Sequence, residues 1–417
     1  MKLSLFGRLT MALLASVALG LGMTACGGGT IAYIWVIGQQ YNQIAAFKVD
    51  DYTGNLTTTA TSPFNTGGST PVSILVKPGG RFVYVVNQGT GGTNLKAGTN
   101  QNVSVFAVGG DGTLTFQSTY FTQGFISQWA QFDSTGTYLY VVDQYAPPAA
   151  ATPTTPQTTG AITVFAADPN TGRLTLVTNS QTKDSQGLNT FYWAVGQNPL
   201  MMKAAGSCLF TLENHSSNEE YVTPYSIGTG GQLITTTTGS IKLSSVTSAT
   251  SINGNGTDIF VTDSNNGSST NYIDGYGIGS GCALTPSNLG SQPNITGALN
   301  PYYSFIDNSG KYLYVLNQSN TNGTGGQPYS SISAFVINTA SQQLVAIAGS
   351  PFTVGSGPVC GLEDTSNKYV YVSNKNDGTI TGKVIDPTTG NLADLARGST
   401  FSATGQAGCL VLSGAVS

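Results

Sequence analysis

The chain has 417 residues, of which 54 are Gly, 20 Tyr and 17 Phe, while only 8% are charged and the formal net charge is −4. No basic cluster able to track phosphates occurs, which excludes nucleic acid as a partner. Gly and Asn supply turns and Thr, Tyr, Val and Ile supply strands, so the composition is that of an all-β protein with many tight turns.

The first element in chain order is a leader. Lys2 and Arg8 give a positive start, and Leu9 to Leu21 an apolar run too short for a membrane span. The run ends in "MTAC", a small residue ahead of Cys26, in the manner of a bacterial lipobox. Residues 1–25 are expected to be a lipoprotein signal peptide. Residues 26–30 are expected to be a lipidated Cys26 with a Gly tether, and residues 31–414 one domain. The expected location is the cell envelope, periplasmic or surface-facing, with membrane attachment through lipid alone.

The domain is written in repeats. "GRFVYVVNQ" from Gly80, "GTYLYVVDQ" from Gly136, "GKYLYVLNQ" from Gly310 and "NKYVYVSNK" from Asn367 are near-copies. Aligned on their second aromatic, they and three weaker copies place Trp35, Tyr84, Tyr140, Phe210, Phe260, Tyr314 and Tyr371 in register. The intervals, roughly 50–70 residues, are those of a repeat architecture. A second phrase follows each copy ("NVSVFAV" from Asn102, "SISAFVI" from Ser331), then a turn ending in Leu ("TGRL" at Leu174, "GGQL" at Leu233). Pro71, Pro199, Pro301 and Pro358 lead the apolar segments ahead of most units. Each unit therefore predicts four short strands, a to d. In "KYLYVLN" the alternation has period two and both faces are apolar, which fits a sheet packed between two neighbours. Seven such sheets arranged radially predict a seven-bladed β-propeller of four-stranded antiparallel blades. The first unit lacks its inner strand, and the chain closes with "GQAGCLVLSG", which aligns with strand a of the other units. The C-terminal strand is expected to complete blade one beside Ile31 to Ile37, removing an open edge.

Four cysteines follow the leader, and an even number in an exported chain predicts disulfides. Cys360 and Cys409 occupy matching places on the inner strands of adjacent blades seven and one. Cys208 begins strand b of blade four, and Cys282 lies in the c–d turn of blade five. The expected pairs are Cys208–Cys282 and Cys360–Cys409.

These phrases resemble the seven-bladed lactonase family, whose members include 6-phosphogluconolactonase-like proteins and a muconate-cyclising enzyme. "SPFNTGGSTPVSILVKPGGRFVYVVNQG" carries the family's d-strand, loop and a–b hairpin pattern. The resemblance implies the propeller over Ile31 to Gly414. It also implies a Pro-His pair opening strand a of one blade with Asp-Leu-Gly after its strand b, then Pro-Arg-His and Asn-Glu in the next, and an Arg beyond. In blade three Gln128 stands at the His position, and Asp143 keeps the Asp, followed by Gln144 and Tyr145. Blade four opens Pro199-Leu200-Met201 and carries Glu213-Asn214. The four arginines are Arg8, Arg81, Arg173 and Arg397, none in blades four to six. Opening a lactone needs a group to activate water and donors for the developing oxyanion, and a phosphorylated acid needs a cationic clamp.

The remaining candidates are local. His215, the single histidine, sits in "LENHSSNEE" beside Glu213, Glu219 and Glu220. It reads either as a relocated acid/base or metal group or as a surface residue of a solvated loop. The second is favoured, because no ligand spacing is present. The strand-b ends Asn87, Asp143, Glu213, Asp263, Asn317 and Asn374 form a ring. Its recurrence in blade after blade favours turn-holding over ligand binding. Insertions at Gly89–Gln101, Tyr145–Thr159 and Asn320–Gln327 all fall in b–c loops, on one face. Phe191-Tyr192-Trp193 reads as an exposed aromatic platform or as a plug. Asp143, Glu213 and His215 are thus the catalytic candidates, and Gln128, Asn214 and Trp193 the ligand-binding ones. No metal and no cofactor is expected. The expected function is a non-catalytic, monomeric envelope propeller that binds a small molecule, glycan or envelope protein through its b–c face. The alternative is a lactonase with a diverged site.

Overall fold

The computed structural model describes residues 29–148, 157–216, 219–243, 246, 248–264, 271–320, 329–338 and 343–414. The leader and Cys26 lie outside the described residues. Seven antiparallel sheets succeed one another along the chain. Blade two is the plain pattern: strand a Pro71–Val76, b Phe82–Asn87, c Asn102–Val108 and d Leu114–Tyr120. Blade one is closed by the two chain ends. Thr30–Gly38 pairs with Gln43–Asp50 on one side and with the C-terminal strand Ala407–Gly414 on the other. In five blades the outer strand is broken in two, as in blade seven, where Leu392–Asp394 and Thr400–Ser402 both pair with strand c. The sequence reading gave each blade a single d strand. The break falls where turn residues interrupt the apolar pattern.

Both faces of strand b are buried, as the alternation requires. In blade six Tyr312, Tyr314 and Leu316 pack with Val370 and Val372 of blade seven. Leu313 and Val315 pack with Phe260 and Ile273 of blade five. In five blades the registered aromatic also latches its blade to the next. Trp35 Nε1 donates to Gly112 O (3.0 Å), Tyr84 Oη to Gly172 O (2.8 Å), Tyr314 Oη to Gly390 O (2.8 Å) and Tyr371 Oη to Gly54 O (2.6 Å). Each acceptor lies in the c–d turn of the following blade, so the first phrase of one repeat is bonded to the third phrase of the next. Gly172 and Gly390 have φ of 68° and 71°, a conformation costly for a residue with Cβ.

Phe210 of blade four has no hydroxyl to donate. There the junction carries a disulfide instead: Cys208, at the start of the same strand, is bonded to Cys282 in the c–d turn of blade five (Cα–Cα 5.6 Å). Cys282 itself holds a left-handed conformation (φ 63°), as Gly231 does at the matching place in "GGQL". Cys360 and Cys409 are bonded across the junction of blades seven and one (Cα–Cα 4.9 Å). Both pairs are the expected ones, and two interblade disulfides mark a domain that matures in an oxidising compartment.

Candidate functional site

The strand-b ends are fully buried. Asn87, Asp143, Glu213, Asp263, Asn317 and Asn374 each have 0% exposure. Asn87 Nδ2 donates to Thr66 O in the preceding d–a loop and to Asn102 Oδ1 and Ser104 Oγ on strand c. Asn317 and Asn374 repeat the bond to strand c through Ser333 (3.0 Å) and Thr381 (2.9 Å). Asp143 makes the same clasp with reversed polarity. It accepts Thr122 Oγ1 (3.0 Å), Ser127 Oγ (2.6 Å) and the Gly124 N–H (3.1 Å). Glycine in the d–a loop lets the backbone close over the clasp. A Cβ on Gly68, Gly124 or Gly355 would come within 2.5–2.6 Å of Asn87, Asp143 or Asn374. The ring is therefore turn chemistry: its amide donors and the Asp143 carboxylate are bonded inside the blades, while Asn87 Oδ1 and Asn374 Oδ1 are buried with no partner among the described residues.

Burial pushes the Asp143 carboxyl up to about 6, and the hydroxyl and amide donors around it only partly offset that. Glu213 is clasped likewise, accepting the Gly196 N–H (3.1 Å) and Thr211 Oγ1 (2.7 Å). Its second oxygen meets His215 Nε2 at 3.0 Å, and the imidazole stacks on Tyr221 with ring centroids 4.1 Å apart. Asn214 is half-buried at the rim of blade four, paired across to Glu220. None of these four residues lines the channel mouth. Among the described residues, no group of three His, Cys, Asp or Glu side chains is placed to hold a metal ion. Trp193 is a correction to the platform reading. It is 5% exposed and packs with Tyr140, Val164, Leu209 and Tyr225 between blades three and four. The reason is that Tyr192–Gln197 adds to strand c of blade three, which turns Trp193 into the blade junction. Phe191 alone of the trio is exposed.

The open site lies on the propeller axis at the b–c face, where the first residues of every strand a converge. It is a cavity of about 180 Å³ with Gln39, Gln128, Thr250, Tyr302 and Lys375 around it and Trp129 and Tyr303 beneath. Trp129 of blade three and Tyr303 of blade six meet across the axis with ring centroids 6.1 Å apart, so the mouth has an aromatic floor. The indole N–H of Trp129 is buried and has no acceptor among the described residues.

The rim is built by the residue that follows each clasp. Gln39 donates to Pro71 O, Gln88 to Ser127 O, Gln144 to Asn198 Oδ1 and Gln318 to Pro358 O, each reaching strand a of the next blade or the residue before it. In blade seven that place belongs to Lys375, which puts one ammonium among amides. Gln128, the residue at the family's His position, is at the mouth and donates to Gln144 Oε1 (3.1 Å). Lys375, Trp129 and Tyr303 were not singled out from the sequence. Their signal is a departure within the repeat: Lys where other copies write Gln, and bulky aromatics at the strand-a position held by Ser73, Ser251 or Cys360. The insertion Gly89–Gln101 folds back on itself through Thr90–Thr99 and Thr93–Lys96 bridges, and the Gln157 N–H reaches Asn94 O. Loops of blades two and three thus join into one wall on the b–c face. The remaining insertions fall largely on residues 149–156 and 321–328, outside the described residues.

Residues 29–191 match the family model described as lactonase, 7-bladed beta-propeller. No curated protein matches the chain by sequence. Among solved structures, a Bacteroides fragilis protein whose name proposes a 6-phosphogluconolactonase superposes with a TM-score of 0.66 at 16% identity, over 92% of this chain and 98% of that one. The periplasmic gluconolactonase of Pseudomonas aeruginosa superposes with a TM-score of 0.65 at 15% identity, over 91% and 99%. A Lactobacillus plantarum protein gives 0.65 at 14%, over 92% and 100%. At such identities the superpositions speak for the fold. Together with the closure of blade one, they show a seven-bladed β-propeller whose first three blades match the lactonase family model.

Proposed function

We propose that the chain is a cell-envelope lipoprotein, anchored through Cys26, whose propeller binds a ligand at the channel mouth without turning it over. The observation that carries this reading is the chemistry of the mouth. Its described lining offers amides, hydroxyls, one ammonium and three aromatic side chains, and no carboxylate or imidazole to activate water. Asp143, Glu213 and His215, the groups that resemble family positions or could replace them, are bonded to one another or to their own loops. An aromatic floor under a polar rim suits a small polyhydroxylated molecule or the end of a glycan, which presents a C–H face to a ring and hydroxyls to amides.

Binding is tested by titrating mono- and oligosaccharides, neutral and acidic, while reading Trp129 fluorescence. Saturable changes that vanish in Gln128→Ala or Lys375→Ala support the reading. Saturable binding unaffected by both substitutions places the site elsewhere and overturns it. The anchor is tested by the intact mass of the membrane-extracted protein, which should show diacylglyceryl on Cys26.

A further inference from the structure

The opposite face of the propeller carries a patch that the channel mouth does not use, at the junction of blades seven and one. We infer that this patch rests on the surface of an anionic phospholipid bilayer and turns the channel mouth away from it. The inference rests on the proposed anchor at Cys26. The first argument is reach. The chain enters the fold at Gly29, whose carbonyl accepts the Asp51 N–H at 3.0 Å, and Thr30 pairs with Asp50. Two residues lie between Cys26 and Gly29, and the three peptide units that join them span at most about 11 Å. A lipid on Cys26 therefore holds the bilayer within that distance of the c–d turn of blade one.

The second argument is what surrounds that point. Tyr52, the next residue in the turn, is 85% exposed. It borders a cleft of about 650 Å³ between the two blades, lined by Val384, Ile385, Pro387 and Ala396 and by the cations Lys368 and Arg397. Neither cation makes an ion pair among the described residues. Of the acids nearby, Asp50 accepts the N–H groups of Tyr52 and Thr53 and is held down further by the Arg397 charge, Asp364 accepts those of Ser366, Lys368 and Tyr369, and Asp386 those of Thr388 and Thr389, while Asp51 stands beside Tyr52 in the same turn. An exposed Tyr, a shallow apolar cleft and two outward cations are what the headgroup region of an anionic membrane accepts. Strand Thr30–Gly38 then runs from the membrane side to the b–c face, about 30 Å at the rise of a strand, which sets the channel mouth toward the aqueous side.

The test uses the full-length acylated protein in phosphatidylglycerol-containing vesicles. Fluorophores are placed on Thr365→Cys, in the a–b turn of blade seven, or on Asn376→Cys, in the b–c turn of the same blade. Both residues are exposed. A quencher attached to the lipid should quench the Thr365 label at least about threefold more than the Asn376 label. Equal quenching, or the reverse order, on protein whose mass shows the acyl group overturns the orientation while leaving the anchor in place. A mass without acyl overturns the anchor itself, and is read before any quenching. Lys368→Glu with Arg397→Glu should lower quenching of the Thr365 label by about half on acylated protein. Unchanged quenching shows that the cations do not meet headgroups and overturns their part in the patch.

Discussion

Asp143 separates a structural from a catalytic account, because the two predict different behaviour for Asp143→Asn. The carboxyl is fully buried and its value rises from 3.8 to about 6 on folding, chiefly through loss of solvent. A carboxyl raised on folding contributes stability that is complete below the unfolded value and lost as pH rises through the folded one. Wild-type protein should therefore lose about 2.4 kcal/mol of stability from this group between pH 4 and pH 7. Asparagine stands at the same place in three other blades, at Asn87, Asn317 and Asn374. In Asp143→Asn the amide oxygen can accept the Gly124 N–H, the amide nitrogen can donate to the hydroxyls of Ser127 and Thr122, and nothing titrates. Its stability relative to wild type should rise by up to about 2.4 kcal/mol over that pH window. Asp143→Ala should be destabilised at every pH, by about 1–3 kcal/mol for the stranded Gly124 N–H alone. The assay is equilibrium urea unfolding at pH 4 and pH 7, read by Trp fluorescence. An Asp143→Asn protein whose stability follows wild type across the window would refute the reasoning. So would an Asp143→Ala protein as stable as Asp143→Asn.

Other tests address the latches and the floor. Tyr314→Phe should cost about 1–2 kcal/mol by leaving Gly390 O unbonded, measured by the shift in urea midpoint. Replacing Cys208 and Cys282 together by Ala should cost about 3–5 kcal/mol, since blade four has no hydroxyl latch to fall back on; differential unfolding with and without reductant reports it. Trp35 and Trp193 are 0% and 5% exposed, so acrylamide should quench Trp129 and little else, and Trp129→Phe should remove most of the quenchable emission. A strongly quenchable fraction left in Trp129→Phe would mean that Trp193 is not in the blade junction.

The repeat made the fold legible because every copy carries the same three phrases, and a wrong register would have broken all seven at once. The disulfides followed from the fold, since blade adjacency brings Cys360 to Cys409 and the shared turn face brings Cys208 to Cys282. What the phrase "YLYVLNQ" does was only partly readable. Alternation announces a strand buried on both faces, but not that Tyr314 bonds a turn 76 residues away or that Gln318 reaches the next blade. Those partners are fixed by blade packing, which periodicity does not encode. The site was least legible for the same reason. The sequence left Phe191-Tyr192-Trp193 open between a platform and a plug, and only strand pairing shows that Trp193 packs into the blade junction. Trp129, Tyr303 and Lys375 come from blades three, six and seven, and no local motif joins them.

The most direct measurement is lactone opening by the purified protein, followed by pH-stat with glucono-δ-lactone and 6-phosphogluconolactone as substrates. A propeller whose mouth offers amides, one ammonium and an aromatic floor should leave both at their spontaneous rates. Protein-dependent hydrolysis that disappears in Asp143→Ala or His215→Ala would contradict the account.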